Sequence, residues 1–352
     1  MPECRSVRRI GDVAVGRRIA AAVCVLIAGS FGLDAQASLE SRDHSTIPFG
    51  EEPITPVPSA ASLDADKVRL GEMLFHDVRL SRGDVLACAS CHMLAEGGDD
   101  NRARSPGAGG KLLDFNAPTV FNAVLSFRLN WRGNFRTLKA QIEAVLLDPD
   151  LMNTTWEELL AKLRADRAYR EAFSAAYGSD LAPAHVLDAL ATFECSLLTP
   201  NARFDRYLRG EQGALGAEEK RGYELFKSYG CIACHQGVNV GGNLFQKFGI
   251  FYDPFLPREA LSEADLGRLV ITGNEADRHV FRALSLRNVA LTTPYFHDGR
   301  TASLEEAVEA TGESQLGRTL TEQEIDLIAA FLRTRTGEYQ GRPLAPSSDR
   351  AR

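Results

Sequence analysis

The chain has 352 residues, 44% of them hydrophobic, and a formal net charge of −7. That length supports two compact domains with cores of their own. The acidic balance argues against a nucleic-acid partner, and beyond the first 37 residues no run is long and apolar enough to cross a bilayer.

Residues 1–37 read as a secretory signal peptide. Arg5, Arg8, Arg9, Arg17 and Arg18 form a positive lead, Ile19 to Gly32 is an apolar stretch too short to span comfortably, and Ala35-Gln36-Ala37 is a small-residue cleavage site. Cleavage removes more positive than negative charge and leaves a still more acidic, periplasmic chain. Residues 38–60 read as a flexible N-terminus. A helix then closes on Gly71-Glu72-Met73-Leu74-Phe75, and Cys88-Ala89-Ser90-Cys91-His92 follows. A Gly- and Asp-rich loop runs from Glu96 to Lys111. Thr155 with Glu158 is a capping box ahead of an apolar stripe. Cys195 reads as a buried small hydrophobe, and Trp156 as helix packing.

The domain junction falls near Pro200 to Gly213, giving halves of 61–205 and 206–340. In the second half the helix string recurs as Gly222-Tyr223-Glu224-Leu225-Phe226, followed by Cys231-Ile232-Ala233-Cys234-His235. Two thiols at this spacing form thioethers to one haem, and the adjacent imidazole reaches the iron as proximal ligand. One pentad alone would also suit half of a zinc site. Two, each behind the same string, point to two covalently bound haem c groups. Further capping boxes stand at Ser303 with Glu306 and Thr321 with Glu324, and residues 341–352 read as a disordered tail. No convincing alternating strand occurs, so the expected fold is all-α: two cytochrome c-like haem domains packed with the haems near a common interface.

From about Leu70 to Gly337 the chain resembles the bacterial di-haem cytochrome c peroxidases and their MauG relatives. The strings that carry the resemblance are Leu80-Ser81 before the first pentad, Ala117-Pro118-Thr119-Val120-Phe121-Asn122-Ala123, Leu286-Arg287-Asn288-Val289-Ala290-Leu291-Thr292, and Pro294-Tyr295-Phe296-His297-Asp298-Gly299. The resemblance implies that peroxide reacts at the N-terminal haem and that the C-terminal haem passes or stores electrons. It implies a bridging tryptophan at Trp131, a distal-pocket glutamine at Gln141, and calcium held by Asn116 with the backbone carbonyls of Thr292 and Pro294. All-oxygen ligands suit that hard cation.

Three departures from the family pattern bear on function. Ala108 stands where the peroxidases hold a distal histidine, which leaves the first haem open. Thr311 stands where the second haem has its methionine, and no methionine follows Met152. A replacement sixth ligand is sought among His279, Tyr295 and His297, with His279 the residue unusual for the family. Leu151 stands ten residues after Gln141, where the family has a proton-moving glutamate. Asp148 and Asp150 are stand-ins there, although turn and helix-end roles suit them better. His76 reads either as reaching a haem edge or as a core histidine.

These departures favour a MauG-like, MbnH-like enzyme. In that reading hydrogen peroxide raises the haem pair to a high-valent state, and a periplasmic protein substrate is oxidised at long range. The alternatives are a cytochrome c peroxidase that detoxifies peroxide with electrons from a small cytochrome or cupredoxin, and a non-catalytic electron carrier. The family's peroxidases often form homodimers, and a dimer is an open expectation here.

Overall fold

The computed structural model describes residues 52–59, 62–256 and 258–345. The expected signal peptide lies outside the described residues. Helices dominate, as expected, and the strands are only two or three residues long. The first half holds α1 (Ala65–Phe75), the short α2 (Cys88–Cys91), α3 (Leu138–Leu147), α4 (Trp156–Ala165), α5 (Arg167–Tyr177) and α6 (Pro183–Ser196). After α7 (Arg203–Leu208), the second half holds α8 (Ala217–Ser228), α9 (Leu269–Thr272), α10 (Leu304–Leu316) and α11 (Glu322–Arg333). Strand β1 (Phe245–Lys247) pairs antiparallel with β2 (Val280–Arg282), and β3 (Glu338–Tyr339) with β4 (Arg342–Pro343).

Two hydrophobic cores correspond to the two halves. In the first, Leu70, Leu74 and Phe75 of α1 pack with Leu190 and Phe193 of α6; in the second, Tyr223 and Phe226 of α8 pack with Ile328 and Phe331 of α11. The repeated glycines lie at these crossings. A Cβ on Gly71 would lie 2.1 Å from the Ala189 carbonyl oxygen, and one on Gly222 would lie 1.9 Å from that of Leu327. Each glycine therefore lets two helix backbones approach where no side chain fits.

Of the segments expected to be a flexible N-terminus and a disordered tail, the described residues 52–59 and 341–345 pack on the opposite halves. Ile54 and Val57 are buried, Ile54 within the second core. The Gly237 amide donates to the Pro53 carbonyl (2.8 Å), the Arg287 guanidinium donates to that of Thr55 (2.7 Å), and Glu52 accepts from Tyr223. At the other end, Tyr339 and Leu344 pack against the first core, with the Tyr339 ring 5.1 Å from that of Phe121. Each half thus carries a strap from beyond its own sequence. α7 belongs to the second core through Phe204, which places the junction ahead of it.

Between the halves, Thr199 links two equivalent asparagines. Asn122 and Asn288 both adopt positive φ, and their side-chain amides donate to the Thr199 hydroxyl at 2.7 and 3.0 Å. These asparagines open corresponding turns in Phe121-Asn122-Ala123 and Arg287-Asn288-Val289.

The expected helix starts are present. Thr321 accepts from the Glu324 amide while the Glu324 carboxylate accepts from the Thr321 amide, and Ser303 with Glu306 does the same. At Thr155 only the forward bond, from the Glu158 amide, forms. Thr321→Ala should lower stability by about 1 kcal/mol, read as a shifted denaturant midpoint with unchanged slope.

Candidate active site

Both pentads open onto one cavity of about 880 Å³ that runs between the two cores. Its walls include Cys88, Cys91 and His92 from the first half and Cys231, Cys234 and His235 from the second, with Trp131, Gln141, Asn116, Thr292, Pro294 and Thr311.

Each pentad histidine is prepared as a neutral ligand. The His92 Nδ1 lies 3.1 Å from the Gly98 carbonyl, and the His235 Nδ1 lies 3.3 Å from that of Val240. Burial pulls the pKa of His92 down and that of His235 down to about 4, with these carbonyls pushing back. A neutral ring that donates through Nδ1 keeps its Nε2 lone pair for a metal. Tight backbone turns hold the carbonyls in place: a Cβ on Gly98 would lie 2.7 Å from the Thr119 hydroxyl, and one on Gly241 2.2 Å from the Leu284 carbonyl oxygen.

Burial also raises the thiol pKa values, to about 12 at Cys88 and about 11 at Cys231. Zinc binds thiolates and takes four ligands. Among the described residues, the one group of three or more His, Cys, Asp or Glu side chains close enough to hold a metal ion is Asp265, His297 and Asp298, which includes no pentad residue. Arg258 already pairs with both of those carboxylates. Two thiols and one imidazole facing a large cavity fit covalent haem better than zinc.

Trp131 lines the cavity where the halves meet. Its indole Nε1 donates to the Asn116 backbone carbonyl (2.8 Å), and its ring stands edge-on to His297 at 6.3 Å. Its own carbonyl accepts from the Arg282 amide (2.9 Å). Asn116 is buried, and its side-chain nitrogen donates to the Arg102 carbonyl (2.8 Å). That bond uses the Asn116 side-chain nitrogen and leaves its oxygen for a cation; Asn116, Thr292 and Pro294 line the same cavity, and their oxygens are of the kind a hard cation takes. Gln141, on α3, donates from Nε2 to the Asn130 side-chain oxygen (2.5 Å).

Of the three departures, Leu151 and Thr311 line the cavity, as does Gly107 beside Ala108. The Ala108 amide donates to the Leu151 carbonyl (2.8 Å), and a Cβ on Gly107 would lie 1.8 Å from the Asp150 carbonyl oxygen. The Ala108 loop is therefore packed on the turn that carries Asp150 and Leu151. Asp148 serves that turn by accepting from the Asp150 amide (2.8 Å), and Asp150 pairs at the surface with Lys111 (2.6 Å). Thr311 of α10 faces the cavity on the side of the second pentad.

His279, expected as a sixth-ligand candidate, is not among the residues that line the cavity. Its positive φ of 59° turns the ring away, where it stacks on Phe255 at 4.0 Å and its Nδ1 lies 2.6 Å from the Asp265 carbonyl. It is also buried rather than a surface loop histidine. Tyr295 and His297 do line the cavity, but His297 Nε2 is held by the Asp265 carboxylate (2.7 Å) and the Tyr295 hydroxyl donates to the Val289 carbonyl (3.0 Å). His76 is exposed at the end of α1, outside the cavity wall, with its ring edge-on to that of the buried Phe75 at 5.4 Å. The sequence reading missed Arg282, a buried, cavity-lining arginine at the end of β2. Nothing local distinguishes it, because an arginine after Val-Phe reads by default as exposed.

Comparison with known proteins adds independent evidence. Residues 65–213 match the family model described as di-haem cytochrome c peroxidase. The chain is 42% identical to cytochrome c551 peroxidase of Nitrosomonas europaea over 85% of its length and 89% of that protein. It is 32% identical to the methylamine utilization protein MauG of Methylorubrum extorquens, covering 84% and 82% of the two chains. Among solved structures, a MauG-like protein associated with microbial copper homeostasis superposes with a TM-score of 0.69 at 30% identity, over 85% of this chain and 96% of that one.

Proposed function

The chain belongs to the di-haem cytochrome c peroxidase family, and on that premise we propose that it is a periplasmic enzyme that takes oxidising equivalents from hydrogen peroxide and delivers them at long range to a protein substrate. Haem c, bonded through Cys88 and Cys91 and through Cys231 and Cys234, supplies the redox chemistry, with His92 and His235 as proximal ligands. Around it, this chain's residues do four things. The Gly98 and Val240 carbonyls fix the two imidazoles. Trp131, pinned at its Nε1 by Asn116, spans the gap between the sites. Gln141, braced by Asn130, presents a polar side chain at the first site. Asn116, with the Thr292 and Pro294 carbonyls, holds a calcium ion next to the indole it pins.

The choice of a protein substrate over rapid peroxide turnover is supported by Leu151 and the Ala108 loop, which pack together where the family resemblance expects a glutamate and a distal histidine. The cavity-lining carboxylates of Asp148 and Asp150 are meanwhile engaged by their own turn and by Lys111. Without methionine at position 311, the second site also lacks the thioether that raises haem potential. Slow turnover and a low-potential second site suit storage of oxidising equivalents until a partner arrives. The peroxidase reading, with a small cytochrome or cupredoxin as donor, is favoured by the higher identity to cytochrome c551 peroxidase, 42% against 32% for MauG.

One experiment separates the readings. A stoichiometric addition of hydrogen peroxide to the diferric protein should leave both oxidising equivalents in the protein after the peroxide is gone, seen by optical and Mössbauer spectra. Rapid multiple turnovers with reduced cytochrome would establish the peroxidase instead. The leader of residues 1–37 and the extracytoplasmic chemistry of haem attachment support the periplasmic assignment. Among the described residues no helix is long and apolar enough to cross a membrane.

A further inference from the structure

We infer that Arg282 is the anchor and counter-charge for a carboxylate of the second haem, and that it ties this carboxylate to the loop bearing Trp131. The inference rests on the di-haem reading above.

Arg282 is only 7% exposed. Its Nε donates to the Asn130 carbonyl (3.0 Å) and its Nη1 to the Ser126 hydroxyl (3.1 Å). These bonds use two of the five N–H donors of a guanidinium, and the side chain lines the cavity. Neither partner carries charge. Neighbouring arginines are treated differently: Arg132 faces Glu263, Arg258 joins Asp265 and Asp298, and the fully buried Arg287 is matched to Asp205. Arg335 is buried too, but it lies over Phe204 and Phe331, outside the cavity wall. At Arg282 burial alone pulls the pKa down to about 10, and no acidic side chain pushes it back.

A buried charge persists when it is paired, because the effective penalty for an unpaired ion is several kcal/mol. Arg335 is likewise without a hydrogen-bonded acidic partner but lies outside the cavity. Arg282 lines it, so a group that fills the cavity can supply the anion, and haem brings two carboxylates. Position selects the second haem. Arg282 lies two residues before Leu284, whose carbonyl accepts from the His235 ring and blocks any Cβ at Gly241. The guanidinium meanwhile reaches into the first half. Its Asn130 partner takes the Gln141 amide on its side chain, and the Arg282 backbone amide holds the Trp131 carbonyl. One residue thereby fixes the edge of one haem relative to the tryptophan and to the distal glutamine.

The test is a spectroelectrochemical titration of purified holoprotein, with the haems resolved by their separate transitions. A pyridine haemochrome assay that finds two haems in each variant keeps failure of the di-haem reading separate from failure of this one. Removing a cation beside an anionic haem edge disfavours the reduced form. In R282Q the second haem should therefore be harder to reduce, its ferric-to-ferrous ratio at fixed potential rising about tenfold, or ~59 mV for a one-electron couple, with the first haem unmoved. S126A, which removes one hydrogen bond and keeps the charge, should leave both potentials in place. R282K keeps the sign but loses the fork, so the second potential should fall by a smaller step. If R282Q fails to accumulate, R282K against S126A decides. An unmoved second potential in R282K, an equal shift in S126A, or a shift confined to the first haem overturns the assignment.

Discussion

Gly222→Ala is expected to lower stability by about 3 kcal/mol, the upper end of ordinary overpacking, with loss of the second half's cooperative unfolding. The new methyl would lie 1.9 Å from the Leu327 carbonyl oxygen, 2.6 Å from its carbon and 3.0 Å from the Phe331 Cβ. Backbone cannot swing aside as a flexible side chain can, so α8 and α11 must separate. Gly71→Ala should act equally on the first half, since its methyl would meet the Ala189 carbonyl oxygen at 2.1 Å and the Phe193 Cβ at 2.6 Å. Gly213→Ala is the control. Its Cβ meets nothing within 4 Å, and stability should stay within about 0.5 kcal/mol. Chemical denaturation of the three variants checks this, and a Gly222→Ala midpoint equal to that of Gly213→Ala would remove the close-approach explanation of the repeat.

Trp131→Phe should leave both haems attached and yet slow the spread of oxidising equivalents from the first site to the second by about tenfold or more, a barrier change of at least ~1.4 kcal/mol. The benzene ring keeps most of the bulk, so packing against His297 survives. What disappears is an oxidisable indole and its Nε1 bond to the Asn116 carbonyl. That buried bond contributes about 1 kcal/mol, and its loss also frees the segment that carries Asn116. Rapid mixing with peroxide, followed at the second haem, measures the transfer. A variant indistinguishable from the parent would mean that charge crosses without Trp131.

Much of the site was legible because its signals are local. Cys-x-x-Cys-His is a contiguous chemical unit, and its duplication behind Gly-x-x-Leu-Phe reported two equivalent halves. Capping at Thr321 and Ser303 was likewise visible, because a cap is a contact between residues three apart. Where the readings failed, the deciding contact was distant in sequence. His279 was assigned toward a haem on its identity, but a positive φ and the Phe255 ring settle which way it points. Residues 52–59 and 341–345 have little local order to display. They are structured because Ile54 finds the second core and Leu344 the first.

The sequence by itself determined that this chain is a two-centre haem protein and all-α, with Trp131, Gln141, Ala108, Thr311 and Leu151 at the positions its family resemblance singles out. Those facts reside in residue identity and short spacing. Only the tertiary structure decided that both pentads share one cavity, that residues 52–59 and 339–344 brace the opposite halves, and that a buried arginine reaches across the seam to the Trp131 loop. The reason is physical. Burial, and with it the need of a charge or a carbonyl for a partner, is set by residues far apart in the chain, and no local pattern records it.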